Sequence, residues 1–159
     1  MINYTIRKGE IKDMDSVLQL IIELAVFEKK PNAVELTVTD LIAHGFGEKP
    51  AFELYVAEWD TKIVGMALFY ERYSTWKGKA IHLEDLIVQE NYRGKGIGKA
   101  LYDSVLKFAL QKGVKRVAWE VLNWNTPAIE FYKSTGAVFL DDWNVCQISR
   151  KNIQKYLAN

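Results

Sequence analysis

The sequence holds little of what builds covalently or metal-held scaffolds. Its 159 residues contain one cysteine, Cys146, and two histidines, His44 and His82. A lone cysteine excludes an internal disulfide and fits a reducing compartment. We read it as a small core residue rather than a nucleophile. The histidines stand far apart without helical ligand spacing, so no metal site is expected. Apolar runs are short, and none reaches the roughly eighteen unbroken residues of a membrane span. The opening stretch, MINYTIRKGEIKDMD, is charged where a secretory leader is apolar. Neither sign of charge is in excess, since 21 basic and 20 acidic side chains leave +1. A dedicated nucleic-acid binder carries a basic surplus. The expectation is a soluble, cytoplasmic protein with neither membranes nor nucleic acids among its partners.

What is present is apolar patterning, at 49% hydrophobic residues, enough to bury a core rather than remain disordered. Tyr4 to Arg7 reads as a first strand. Met14, Val17, Leu18, Leu20, Ile21, Leu24 and Ala25 recur at helical spacing. A short helix is predicted over 37–44, then strands over 52–58, 62–70 and 80–88. The first two of these strands form a hairpin, and a polar loop, ERYSTWKGK, joins the last two. Ile97, Leu101, Val105, Phe108 and Ala109 mark an amphipathic helix. Then come a strand over 116–122 and a helix over 126–133 with Asn125 or Thr126 as its cap. Final strands over 138–140 and 144–149 and a closing turn over 152–157 complete the prediction. The fold class is α/β, a single domain over 1–159 with a mixed, mostly antiparallel sheet flanked by helices.

The most informative stretch is VQENYRGKGIGKAL, residues 88–101. It fails the dinucleotide fingerprint G-x-G-x-x-G, because Lys99 stands at the last glycine position. It fails the ATP-type loop, because three residues separate Gly94 from Gly98 and Ala100 replaces the hydroxyl residue. The physics of an anion site survives. A strand runs into the loop and a helix leaves it, so unpaired N–H groups and a positive dipole end face the loop. Arg93 and Lys99 add full charges. Three alternating glycines exceed what a simple turn requires.

Arg93-Gly94-Lys95-Gly96-Ile97-Gly98 resembles the R/Q-x-x-G-x-G/A motif of the GNAT acetyltransferases. Downstream, NTPAIEFYKSTGA (125–137) resembles that family's N-x-x-A-x-x-F-Y-x-x-x-G segment. HGFGEKP (44–50), YSTWKGK (73–79), LEDLIV (83–88) and NWNTP (123–127) are similar to the spermidine/spermine (diamine) N-acetyltransferases and their thialysine-acetylating relatives. The resemblance implies acetyl-CoA as donor, a small aliphatic amine as acceptor, and a homodimer. By that resemblance the coenzyme is held by Leu86, Ile87 and Val88, by Arg93 to Lys99 (Gly94, Lys95, Gly96, Ile97 and Gly98 between them), and by Asn125, Tyr132 and Lys133. It implies Glu84 as the base, acting through water, and Tyr132 as the acid that protonates the leaving thiolate. Glu28, Trp76, Glu84 and Asp85 line the amine site. The resembling stretch commonly has Asp-Pro before the tryptophan. Ser74-Thr75 here removes one acidic contact and favours a shorter amine than spermidine or spermine. Neighbours on a regular strand point to opposite faces, so Glu84 and Asp85 converge on one ligand only if a bulge intervenes. Two alternatives stand beside this reading: acetylation of a protein lysine or N-terminus, and a non-catalytic sensor of acetyl-CoA or polyamines.

Overall fold

The period-two alternation of the central strands decides which helix packs on which side of the sheet. The computed structural model describes residues 3–158. They fall into two compact units that divide after Glu120. The first holds β1 (Tyr4–Lys8), α1 (Met14–Phe27), α2 (Val38–Phe46), β2 (Glu53–Trp59), β3 (Lys62–Ser74), β4 (Gly78–Val88), α3 (Ile97–Gln111) and β5 (Val117–Ala118). The strands run in the order β1-β2-β3-β4-β5. All neighbours are antiparallel except β4 and β5, which are parallel.

Val56, Met66 and Ile87 are cross-strand partners. They join Met14, Val17 and Leu20 of α1 and Leu41 of α2 in one buried cluster. One step along each strand, Ala57, Gly65 and Val88 are partners on the other face. There a side chain at Gly65 would lie 3.3 Å from Leu101 of α3. Phe69 meets Phe108 edge-on on the same face, with centroids 5.0 Å apart. The sheet is thus covered by α1 and α2 on one side and α3 on the other, the layering that two apolar faces demand.

The second unit holds α4 (Thr126–Ser134) and α5 (Arg150–Leu157). Asn125 caps α4 through its side-chain oxygen, 3.4 Å from the N–H of Ala128, and Pro127 lies in the first turn.

Several boundaries differ from the sequence expectation. The predicted loop ERYSTWKGK is mostly strand, since Glu71↔Ile81 through Ser74↔Gly78 extend the β3–β4 ladder. Its polar residues conceal a hairpin that projects into water and buries little, so apolar alternation gives no signal there. β5 is far shorter than 116–122, and the ladder takes in only Ile81↔Val117 and His82↔Ala118. Residues 152–157 belong to a helix, capped by Ser149, rather than a turn. Segments 138–140 and 144–149 form no ladder among the described residues. Val138, Leu140, Val145 and Ile148 are exposed, so the apolar pattern lacks the partner strand that would make it a sheet. Cys146, on the same segment, is exposed and not a core residue.

One ion-pair cluster ties β1 to the start of α1 and to β2. Arg7 grips the Asp13 carboxylate with two N–H groups, at 2.7 and 2.9 Å, and donates its Nε–H to Glu58 at 2.6 Å. Asp13 also accepts the backbone N–H of Glu10 at 2.8 Å. Burial by itself would raise the Asp13 pKa; the Arg7 and Glu10 hydrogen bonds outweigh it and hold the carboxyl below its ordinary value. An acid depressed in the folded state stabilises fully above its unfolded value, about pH 4, and the gain vanishes as pH falls through the folded value. Asp13→Asn is therefore expected to cost about 2 kcal/mol at pH 7. Urea titrations at pH 7 and pH 3 check this, the two proteins converging in acid.

Candidate active site

β4 carries a bulge where the candidate carboxylates lie. Leu68 of β3 pairs with Asp85, but Phe69 pairs with Leu83, so Glu84 is an extra residue without a partner of its own. The consequence is a change of parity. Leu83, opposite Phe69, faces α3. Asp85, two residues on, would share that face in a regular strand. It instead faces the α1 side with Leu68 and Ile87. Tyr70↔His82 are partners on that side as well. The bulge thus brings Glu84 to Tyr70 and His82 and turns Asp85 to the α1 side, within reach of the charge of Glu28, the C-terminal cap of α1.

The electrostatics follow from this crowding. Asp85 is pushed up to about 6 by burial and then by the negative charges of Glu84 and Glu28. Glu84 is exposed, and its Oε2 accepts the Tyr70 hydroxyl at 3.1 Å. Burial first, and the Glu84 carboxylate next, raise the Tyr70 phenol, which keeps it a protonated donor.

Beyond His82, β4 has no ladder with β5 among the described residues. Leu86, Ile87 and Val88 are paired with β3, and along their other edge no strand is paired among the described residues, where the Val88 carbonyl accepts the Arg93 Nε–H; such an edge can bind an extended chain.

The glycine loop begins after Val88. Gly94 and Gly96 have φ of 74° and 81°, the left-handed region that a side chain disfavours. Gly98 has neither a positive φ nor a tight neighbour, since an added Cβ would approach Val88 only to 3.7 Å. Glycine in a helix costs about 1 kcal/mol against alanine. Its presence keeps the first turn of α3 bare, and α3 has no side-chain N-cap hydrogen bond. Residues of this kind fit a pyrophosphate bound by backbone N–H groups.

The basic side chains have partners of different kinds. Lys99 pairs with Asp103 one turn along α3, at 2.6 Å. Lys95 donates to the Asn91 carbonyl at 2.9 Å and lies over the Trp59 and Tyr92 rings. Arg93 donates its Nε–H to the Val88 carbonyl at 2.9 Å, and its guanidinium lies 5.6 Å from the Phe27 ring centre. Arg93 and Lys95 bond neutral carbonyls, so their full charges stay at the loop beside the helix end.

Trp76 lies at the tip of the β3–β4 hairpin, exposed, with its N–H 3.3 Å from Ser74 Oγ. Gly78 lies six residues before Glu84 along β4, roughly 20 Å of strand, so Trp76 is not gathered with the carboxylates as Glu28 and Asp85 are. In the second unit Tyr132 is buried. Its carbonyl accepts the Thr135 hydroxyl at 2.7 Å, and its ring lies beside Phe131. Lys133 pairs with Glu130 at 3.2 Å. The sequence reading missed Tyr70, Arg72 and His82. Their signal is a polar residue at every second position on two strands of one hairpin, visible only once the register is known.

These features meet in a family model. The Acetyltransferase (GNAT) family matches residues 18–137. The chain belongs to the GNAT acetyltransferase family. It is an N-acetyltransferase with a GNAT fold, and acetyl-CoA is its donor. Thialysine N-epsilon-acetyltransferase of Bos taurus is 41% identical over 140 residues, covering 83% of this chain and 82% of the relative. Spermidine/spermine N(1)-acetyltransferase-like protein 1 of Homo sapiens is 33% identical over 160 residues, covering 94% of this chain and 23% of that protein. Among solved structures, an integron cassette protein from V. cholerae superposes with a TM-score of 0.80 at 22% identity, covering 100% of both chains. At that identity the likeness shows the fold alone.

Because Asp85 ionises less readily when folded, its carboxylate costs stability as pH rises from about 4 through about 6. Asp85→Asn is expected to be more stable than the parent by about 1–2 kcal/mol at pH 8, and indistinguishable from it near pH 4. Thermal melts at the two pH values check the sign.

Proposed function

We propose that the protein moves an acetyl group from acetyl-CoA to the primary amine of a small aliphatic cation, of the thialysine or lysine-like kind. The observation that carries this is Asp85, turned to the α1 side by the β4 bulge and reached by the charges of both Glu84 and Glu28. That crowding disfavours its negative charge, and an ammonium group relieves it. Names of relatives at about 40% identity point the same way. Ser74 and Thr75 supply no second acidic group near Trp76, which favours a short amine over a long polyamine.

The chemistry follows from the amine. An alkylammonium has a pKa of about 10.4, so about one molecule in a thousand is a nucleophile at neutral pH. Glu84 removes the proton through water, and the freed nitrogen attacks the acetyl carbonyl. The carbon–sulfur bond then breaks, and Tyr132 gives its phenolic proton to the thiolate. Leu86 to Val88 hold the donor along the open edge of β4. Arg93 to Lys99, with Asn125 and Lys133, hold its phosphate end. Asp85 and Glu28 hold the amine's charge. The whole chain serves as one catalytic domain, in the cytoplasm. It works as a homodimer, a reading supported by the exposed Val138, Leu140, Trp143, Val145 and Ile148; a monomer mass by light scattering would remove it.

Thiol release from acetyl-CoA is expected to be fastest with thialysine or lysine among thialysine, lysine, putrescine, spermidine, spermine and a lysine peptide. A preference for the peptide would replace this reading with a protein acetyltransferase. No turnover, with acetyl-CoA still bound, would leave a sensor. Glu84→Gln is expected to lower kcat about a hundredfold at pH 7 and much less at pH 10, where free amine is abundant. Tyr132→Phe is expected to lower kcat while acetyl-CoA binding is kept; unchanged turnover would make the hydroxyl structural.

A further inference from the structure

A chain of polar side chains runs along the β3–β4 hairpin into the bulge, and the reaction as written does not use it. His82 is buried, with its two ring nitrogens facing different neighbours. Nδ1 lies 3.2 Å from Nη1 of Arg72. Nε2 lies 3.5 Å from Oε2 of Glu84, the oxygen that also accepts the Tyr70 hydroxyl. The Tyr70 and His82 rings lie 5.2 Å apart, so the phenol and the imidazole approach that oxygen side by side.

The proton positions follow from donor chemistry. A guanidinium has only donors, so the imidazole Nδ1 facing Arg72 must offer a lone pair. The neutral ring then carries its proton on Nε2, and that N–H dipole points at the Glu84 carboxylate. The opposite tautomer would put an N–H against Arg72 and a lone pair against the carboxylate, unfavourable at both ends. The charged groups facing the ring are Arg72, Glu84 and Glu120, with Tyr70 beside it. Burial first, and Arg72 with it, lower the His82 pKa, while Glu84 and Glu120 oppose them. The ring therefore stays neutral at pH 7.

We propose that Arg72 and His82 are positioning residues for acetyl transfer. Arg72 locks the His82 imidazole in its Nε2–H form, and that N–H, with the Tyr70 hydroxyl, holds Oε2 of Glu84 and leaves Oε1 to receive the proton. This rests on the reading of Glu84 as the base. The hydroxyl bonded to Oε2 and the N–H dipole facing it orient the carboxylate and leave Oε1 as the free, more basic oxygen.

Two measurements test this. Long-range 1H–15N correlation on histidine-labelled protein reads the tautomer directly, and His44→Gln removes the signal of the other, exposed histidine. A protonated Nε2 and bare Nδ1 are expected at pH 7; the reverse tautomer or an imidazolium would overturn the proposal. In the second, Arg72→Met is expected to lower kcat at pH 7 about tenfold, with the KM for acetyl-CoA unchanged. Its acidic limb is expected to lie at higher pH than the parent's, because without the Arg72 charge His82 protonates more readily and pairs with Glu84. Arg72→Lys keeps a cationic donor and is expected to restore most of kcat and the parent profile. A parent-like profile in Arg72→Met, beside an impaired Glu84→Gln, would overturn the positioning role alone. Full activity in Glu84→Gln would overturn the base reading and the positioning role with it, whatever the tautomer.

Discussion

Everything at the site depends on how β4 uses its two edges. A strand in the middle of a sheet has both edges hydrogen-bonded and offers a ligand nothing. β4 is bonded to β3 along its length, but to β5 only through Ile81 and His82. From Leu83 onward no strand is paired with the second edge among the described residues, and there the bulge at Glu84 interrupts the alternation of side chains. On the proposed reading, the unpaired edge takes the extended donor and the carboxylates take the amine. The glycine loop and α3 follow directly in the chain.

The carboxylates are held where they are mutually unfavourable. Asp85 shares a face with Leu68 and Ile87, and burial costs its charge more than Glu84 or Glu28 do. Such a residue weakens the folded protein at neutral pH. On the proposed reading, an ammonium ion bound there offsets the penalty, so stability given up in the free protein returns as affinity. The Arg7–Asp13–Glu58 cluster at the other end of the sheet is the opposite case, since each charge there has its partner in place.

Around the glycine loop Lys95 donates to the Asn91 carbonyl, Lys99 pairs with Asp103 along α3, and Arg93 donates to the Val88 carbonyl of β4. The first turn of α3 has no side-chain cap bond, and Gly98 adds no side chain to it. An ordinary turn accounts for Gly94 and Gly96 through their positive φ, but not for Gly98.

The sequence by itself determined the helices and the order of the central strands, because burial imposes periods of 3.6 and 2 that can be read along the chain. The glycine loop was legible too, because it is contiguous and Gly94 and Gly96 are required locally by their positive φ. Asp85 beside Glu84 was legible as a pair but not as a convergent pair, since a bulge is a property of two strands in register. Arg72, Tyr70 and His82 were invisible as a group for the same reason: 10 to 14 residues part them from their contacts. The segments 138–140 and 144–149 show the converse error, where a strand-like pattern exists and no partner strand accompanies it. Local patterns record what each segment buries. Only the tertiary structure decided which edges pair and where the register slips, and so which charges are made to face each other.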